Sequence, residues 1–362
     1  MSGLKKKVLI ACGGTGGHLF PGVAVAQELK SRGHLVRLLI SEKKVDASAS
    51  KKYGDLQFDT VPAIAKPATF SLKMIPFSFK FLKTVMFCKR FLQKTETDVV
   101  LGMGGFTSLP PVLAGKRIGL KCFVHDSNAL PGKANRLAAK YCDKVLLGME
   151  AAVSHFPGKR VEVTGTPVRE ELETFPDKEE AVKKLGLDPG KKTVLVMGGS
   201  QGAKRLNTIV VEASRAMPDI QFLHITGSYD YERVKGLLDD CPGHKLIEFC
   251  DDMPSAYAAS DLAVCRSGAS SMTELAYVNL PSILVPYPAA ADDHQTINAD
   301  EFVKKGAAVL CVEAELDGGS LMAEISAILE DEETLKSMTE AAGNLAVRDA
   351  AERVCKAIES SF

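Results

Sequence analysis

The 362-residue sequence has no excess of either charge, with 45 lysines and arginines against 45 aspartates and glutamates. A nucleic-acid binder would show a clustered basic surplus, so nucleic acid is not an expected partner. No two cysteines are spaced C-x-x-C, and the nine present are scattered and odd in number. That pattern excludes a disulfide framework and a cysteine zinc site, and it fits thiols kept reduced in the cytoplasm. No run reaches the ~18 apolar residues that a spanning helix needs. The apolar stretch Val8–Cys12 behind the basic start is cut short by Gly13 and Gly14, well under the h-region of a signal peptide. A cytoplasmic protein is expected, and contact with a membrane surface stays open.

What is present is a globular composition, 46% hydrophobic and 25% charged, in a chain too long for one ordinary core. Two domains of about 150–200 residues are expected. One pattern occurs twice: a β-branched run, a glycine-rich turn, then a helical segment. Lys7–Cys12 leads into Gly13-Gly14-Thr15-Gly16-Gly17-His18 and a helix over Pro21–Arg32; Thr193–Met197 leads into Gly198-Gly199-Ser200-Gln201-Gly202-Ala203 and a helix over Leu206–Ala216. Further buried-strand candidates are Val36–Ile40, Val99–Leu101, Lys121–His125 and Lys144–Leu147, then Gln221–Thr226, Leu262–Cys265, Ser282–Val285 and Ala308–Val312. Apolar strands alternating with helices predict parallel sheets covered on both faces, hence two doubly wound α/β domains. The division expected is 1–165, 166–344 and a C-terminal helical segment at 345–362 that can pack back on the first domain. The stretch Thr164–Arg169 and the charged residues up to Lys192 form the expected link. Ligands of such sheets sit at the carboxyl ends of the strands, so a cleft with one glycine turn from each domain is expected.

The turn at 13–18 brings backbone amides and a helix N-terminus together, which favours an anion such as a diphosphate. The dinucleotide fingerprint is not met, because Leu19 stands where its third glycine belongs, and the Walker lysine is absent. A tight turn with no ligand is the plain alternative. His18 is a candidate base or hydroxyl partner, against a histidine satisfied locally. Ser200 and Gln201 add side-chain donors to the second turn. The segment Cys265–Glu274 offers another anion-binding helix start, with Glu274 about one turn on, where a carboxylate can accept from vicinal sugar hydroxyls; a capped helix with Glu274 near its own dipole is the alternative. Asp292, Asp293 and His294 could ligate a metal, but two acids and a histidine on a loop more often hydrogen-bond.

Together these segments resemble the MurG family, the UDP-N-acetylglucosamine transferases that convert lipid I to lipid II. The matching pieces are the turn at 13–18 with Phe20-Pro21-Gly22, DVVLGMGGF at 98–106, HDSN at 125–128, TPVR at 166–169, the turn at 198–203 with Arg205-Leu206-Asn207, CRSGASSMTE at 265–274 and DDHQTINA at 292–299. They span nearly the whole chain in family order. The resemblance implies a GT-B fold, an N-terminal domain facing acceptor and membrane, a C-terminal domain binding the UDP-sugar, and inverting transfer with no metal and no cofactor. It implies that Thr15, Gly16 and Gly17 contact the donor or leaving diphosphate and that His18 is the base or acceptor-hydroxyl partner. It implies further that Asn128 and Arg169 reach the donor, Ser200 binds phosphate, and Ala269, Ser270, Ser271, Met272 and Thr273 hold diphosphate and nucleoside. Glu274 would take the ribose hydroxyls, His294 and Gln295 the sugar, and the Cys250 backbone the uracil. Departures are Asp126 and Ser127, where many relatives have glutamate and glutamine, Ser270 and Ser271, where some have a more apolar pair, and His294, where some have glutamine.

The acceptor so implied is a polyprenyl lipid, lipid I, so a peripheral position on the inner face of the cell membrane is expected, and other cell-wall synthesis proteins are compatible partners. The stretch Phe70–Phe91 interleaves Phe70, Leu72, Met74, Ile75, Phe77, Phe79, Phe81, Leu82, Val85, Met86, Phe87 and Phe91 with Lys73, Lys80, Lys83, Lys89 and Arg90, and holds no acid. Apolar bulk with cations suits an anionic membrane surface; a buried helix with a solvated basic face is the alternative. Rival functions are another GT-B enzyme acting on a UDP-sugar, such as a glycolipid synthase or an epimerase, and a nucleotide-sugar binding module without turnover. A dehydrogenase is disfavoured by the broken fingerprint.

Overall fold

The structure, a computed structural model, describes residues 5–14, 16–42, 51–62, 74–199, 202–238, 241 and 243–362. Thr15, Phe70, Leu72, Lys73, Ser200 and Gln201 lie outside the described residues. Strands β1 (Lys7–Ala11), β2 (Leu35–Ser41), β3 (Gln57–Val61), β4 (Val99–Gly102), β5 (Lys121–Asp126), β6 (Lys144–Leu147) and β7 (Val161–Val163) form one sheet. Their order is β3-β2-β1-β4-β5-β6-β7, and every pair is parallel. Strands β8 (Lys192–Met197), β9 (Ile220–Ile225), β10 (His244–Ile247), β11 (Leu262–Cys265), β12 (Ser282–Leu284) and β13 (Ala308–Leu310) form a second. Its order is β10-β9-β8-β11-β12-β13, again all parallel.

The helices in chain order are α1 (Gly16–Ser31), α2 (Met74–Lys94), α3 (Gly105–Arg117), α4 (Lys133–Ala138), α5 (Lys178–Lys184), α6 (Lys204–Arg215) and α7 (Tyr231–Leu237). They continue with α8 (Met253–Ala258), α9 (Ala269–Tyr277), α10 (His294–Val303), α11 (Gly318–Leu329), α12 (Glu332–Asn344) and α13 (Ala350–Glu359). The chain divides into two compact units, Met1–Glu170 with Val347–Phe362, and Glu171–Ala346. Thr166–Arg169 therefore lie with the first unit, as does α13.

Strand periodicity explains the layering of each unit. Successive side chains of β1 point to opposite faces: Val8 and Ile10 pack with α1 and α13, while Leu9 and Ala11 pack with α2 and α3. In the second unit Val194, Val196 and Val264 are covered by α6 and α11. The central strands are apolar throughout because both faces are buried.

Three strands, β3, β7 and β10, have no counterpart among the expected ones, and all three lie at sheet edges. Helix α1 also starts earlier than the proline at 21 suggests, with Pro21 inside it. Pro21 removes a single i→i−4 bond, while Leu19, Val23, Val25 and Leu29 on the same helix are fully buried. His18 thus belongs to the first turn of α1 and does not end a loop.

The C-terminal helix closes one face of the first unit. Val354, Cys355, Ala357 and Ile358 join the cluster of Val8, Ile10 and Leu29. At its rim Arg32 pairs with Glu28 at 2.6 Å and Glu359 at 3.1 Å. Exposed ion pairs contribute little, so the apolar face carries the docking. Ile358→Ala is expected to destabilise the first unit by about 2–4 kcal/mol, and Arg32→Ala by about 1 kcal/mol or less; urea unfolding of the two variants checks the ordering.

Candidate functional site

In an open parallel sheet the crevice lies where strand order reverses, at the carboxyl ends of the strands. Those points are β1/β4 in the first sheet and β8/β11 in the second. Ala11 is paired with Gly102, so the turn that opens α1 lies beside the turn Met103–Gly105 that opens α3. His18 is half-buried there, against Gly104 and Gly105. A Cβ on Gly104 would fall 2.5 Å from His18 Cδ2 and 2.7 Å from Nε2, and Gly104 has φ +121°. No other residue leaves the imidazole that seat. Gly104 is also the N-cap of α3 and gives it no side-chain cap.

Behind this seat lies a polar cluster carried by β5 and the loop after it. Asp126 is buried and accepts from the Asn128 backbone at 3.0 Å, Asn128 Nδ2 at 3.1 Å, Gly132 N at 3.0 Å and Asn135 Nδ2 at 2.8 Å. Asp126 thus shapes the loop that carries Asn128. His125 Nε2 lies 2.9 Å from the Gly165 carbonyl. A carbonyl only accepts, so Nε2 holds the proton; burial, opposed by that carbonyl and by Asp126, keeps the ring neutral by pushing its pKa down. His125 Nδ1 and the side-chain oxygen of Asn135 are buried without a hydrogen-bond partner among the described residues. Arg169 stacks its guanidinium 4.4 Å from the centroid of Phe20 on α1.

In the second unit, Cys265 pairs with Met197, so the glycine turn before α6 and the segment Arg266–Gly268 before α9 are neighbours. Neither α6 nor α9 has a side-chain cap, their N-caps being Ala203 and Gly268. Their first-turn amides are the groups an anion would satisfy. Gly202 has φ +77°, and a Cβ there would lie 2.2 Å from the Thr226 carbonyl oxygen. Asn207 Nδ2 donates to that same carbonyl at 3.2 Å.

Among the expected site residues of α9, Ala269 and Met272 are buried, and the Met272 amide donates to the Gly268 carbonyl at 3.0 Å inside the helix. Thr273 donates its hydroxyl to the Ala269 carbonyl at 2.9 Å, and Ser270 and Ser271 are half-buried. Glu274 Oε2 accepts from the Tyr257 hydroxyl at 2.7 Å. Cys250 is half-buried, three residues beyond β10.

Arg266 is buried, pairs with Glu313 at 2.5 Å, and donates to the carbonyls of Val285 and Pro286, both at 3.1 Å. It therefore fixes the strand end from which Tyr287–Gln295 departs. Tyr287 N donates to Gln295 Oε1 at 2.8 Å, which leaves the Gln295 amide nitrogen as the donor to offer. His294 Nδ1 lies 2.8 Å from the Ala291 carbonyl and must donate to it, so Nε2 of the neutral ring is an acceptor. Asp292 and Asp293 between them adopt left-handed φ of 54° and 52°, a strained conformation for non-glycine residues.

A buried chain of polar groups backs the second glycine turn. Asn207 donates to Asp230 at 2.8 Å and accepts from His224 Nε2 at 3.0 Å. His224 Nδ1 meets His244 Nε2 at 3.0 Å, and His244 Nδ1 meets Ser214 Oγ at 2.9 Å. Starting from the Asn207 oxygen, two neutral rings each donate once and accept once along this chain, which ends on the Ser214 hydroxyl, itself 3.0 Å from the Val211 carbonyl. Burial, and for His224 also the neighbouring His244, lowers the pKa of His224 to about 3 and that of His244 to about 4.

On the first unit, α2 carries two apolar faces. Thr84, Val85, Cys88 and Leu92 are buried, and Phe77, Phe81 and Phe91 are turned inward, Phe77 edge-on to Phe106. Val85 and these three aromatics of the apolar-basic stretch therefore face the core. Ile75, Phe79, Leu82 and Met86 are 62%, 66%, 50% and 56% exposed, spaced so that they share one helix face. Lys80, Lys83, Lys89 and Arg90 are exposed as well. Among the described residues no helix is long and apolar enough to cross a membrane.

Comparison with known proteins fits this geometry. Residues 8–147 match the glycosyltransferase family 28 N-terminal domain and residues 193–354 the glycosyltransferase family 28 C-terminal domain. A UDP-N-acetylglucosamine–N-acetylmuramyl-(pentapeptide) pyrophosphoryl-undecaprenol N-acetylglucosamine transferase of Shewanella pealeana is 38% identical over 97% of this chain and 95% of its own length. The chain belongs to the MurG family of glycosyltransferases. A transferase of the same name from Bacillus licheniformis is 34% identical over 96% of each chain. The crystal structure of Acinetobacter baumannii MurG superimposes with a TM-score of 0.77 at 26% identity, covering 98% of this chain and 99% of that one. A UDP-GlcNAc 2-epimerase from Neisseria meningitidis, at 17% identity and a TM-score of 0.70 over 97% and 99% of the two chains, shares the fold alone. The two Rossmann-like domains are those of the GT-B fold, as in this MurG structure.

Several residues that shape the candidate site escaped the sequence reading: Gly104, His125, Asn135, Asn207, Tyr257 and Arg266. All but Asn135 and Tyr257 stood inside the recognised motifs, and their position at a strand end or a helix start was the available signal.

The histidine pair sets a pH limit. Both rings are neutral when folded but take protons near pH 6.5 when unfolded. Stability is therefore complete above about pH 6.5 and lost as pH falls toward the depressed folded-state values, by up to roughly 1.4 kcal/mol per pH unit for each ring. Urea unfolding between pH 7 and pH 5 should show the loss, and His244→Gln should flatten its slope.

Proposed function

We propose that this glycosyltransferase moves N-acetylglucosamine from UDP-N-acetylglucosamine to the 4-hydroxyl of the muramyl sugar of lipid I, forming lipid II with inversion. One observation carries the reading: the identity to curated transferases of that name runs through both domains, over 97% of the chain. The donor diphosphate is held by the uncapped starts of α6 and α9, with Ser200 and the 269–273 turn. Glu274 takes the ribose hydroxyls and the Cys250 backbone the uracil. Gln295 offers a donor, and His294 an acceptor, to the sugar hydroxyls. In the first unit Thr15, Gly16 and Gly17 contact the donor or leaving diphosphate, and Asn128 and Arg169 reach the donor.

The step is a single in-line displacement in which the acceptor hydroxyl attacks the anomeric carbon and UDP leaves from the opposite face. His18 takes the hydroxyl proton, a contribution of about 10²–10⁴-fold. UDP release from UDP-N-acetylglucosamine should require a short-chain lipid I analogue and yield a disaccharide product. His18→Ala, and Gly104→Ala through loss of the imidazole seat, should each lower turnover about 10²-fold or more with donor binding kept. Release without acceptor would favour an epimerising or hydrolytic enzyme, and donor binding with no turnover a binding module.

We further propose that α2 rests on the anionic membrane surface that carries the lipid acceptor. The exposed stripe of Ile75, Phe79, Leu82 and Met86 supplies apolar contact, and each nearby cation adds about 1 kcal/mol. The Phe79→Glu, Met86→Glu double variant should bind vesicles containing anionic phospholipid roughly tenfold more weakly in co-sedimentation. Its turnover of a water-soluble acceptor analogue should match that of the parent; equal vesicle binding by both proteins would rule α2 out as the contact.

A further inference from the structure

Tyr257 has no part in the chemistry above, yet it is only 3% exposed and its hydroxyl meets Glu274, itself 9% exposed, at 2.7 Å. A carboxylate only accepts, so the phenol donates, and the length is that of a charge-assisted hydrogen bond. The two residues come from different helices, α8 and α9. Helix α8 is itself anchored: Asp252 caps it by accepting from Ser255 N at 3.2 Å, and the same carboxylate pairs with Lys184 of α5 at 2.6 Å. Cys250, the residue whose backbone is proposed to read the uracil, stands three positions before the first residue of α8. A single braced piece thus runs from the base-reading segment through α8 to the carboxylate on α9.

We propose that Tyr257 is a positioning residue for donor recognition, holding the Glu274 carboxylate in the orientation that accepts from the ribose hydroxyls. The inference rests on the reading of Glu274 as the ribose acceptor. A glutamate side chain has three rotatable bonds, and a fixed partner on one oxygen removes most of that freedom before ligand arrives. The affinity difference between a ribonucleotide and its hydroxyl-free analogue then depends on Tyr257, although Tyr257 touches neither.

The test is calorimetric titration of the full-length protein with UDP and with 2′,3′-dideoxyuridine diphosphate, for the parent, Tyr257→Phe and Glu274→Gln. The expected result is that Tyr257→Phe weakens UDP binding roughly fivefold to tenfold and leaves dideoxy-UDP binding as it was, so that preference for the ribonucleotide collapses as it does in Glu274→Gln. Collapse in Glu274→Gln alone overturns the role of Tyr257 and leaves the ribose reading standing. An equal loss for both nucleotides in Tyr257→Phe marks a merely structural tyrosine and overturns it too. Preference intact in both variants overturns the ribose reading and the inference with it.

Discussion

Parallel pairing of β1 with β4, and of β8 with β11, is the constraint from which the site follows. Strands that all run one way deliver their following turns to one edge of the sheet, and a reversal of strand order leaves that edge uncovered. The pairing of Ala11 with Gly102 makes neighbours of the turns before α1 and α3. The pairing of Cys265 with Met197 does the same for the turns before α6 and α9. His18 meets Gly104 because of a backbone ladder, not because of any attraction between the two.

Turns at a sheet edge are held only as well as what lies behind them, and here the backing is polar and buried. Asp126 gathers four donors from its loop and from α4. Arg266 spends its guanidinium on Glu313 and two strand-end carbonyls. Apolar side chains of equal volume could be at least as stabilising as that ion pair, but they could not hold the carbonyls of Val285 and Pro286. Such networks rigidify when every member is satisfied. In the chain from Ser214 to Asp230 burial keeps both histidines neutral, which ties the network behind the second glycine turn to pH.

The legible part of the fold was the part dominated by burial. Central strands such as β1, β8 and β11 read directly as apolar runs because both faces are covered. The edge strands β3, β7 and β10, with sequences such as Val161-Glu162-Val163 and His244-Lys245-Leu246-Ile247, carry polar residues on a half-open surface and give no such run. For α2 the sequence showed apolar residues and cations without an acid, but two apolar stripes interleave at helical spacing. Only the packing of α2 with α3 decides that Phe77 and Phe81 turn inward while Phe79 and Met86 do not. The motifs located the loops of the site; partners brought in from other elements, such as Tyr257 for Glu274, leave no pattern in a single sequence because the pairing is set by how two helices pack.

The two imidazoles of the first unit illustrate how burial assigns roles to like groups. His125 and His18 lie close enough that a charge on one disfavours a charge on the other. Were both to titrate in the same range, taking a proton at His18 would compete with a cation already present at His125. Burial settles the matter against the opposing pull of the Gly165 carbonyl: His125 is fully enclosed, holds its proton on Nε2 and stays neutral. The half-buried His18, seated on glycine, is then the ring left to accept the acceptor hydroxyl's proton in the proposed step, and the enclosed ring behind it adds no charge to oppose that transfer.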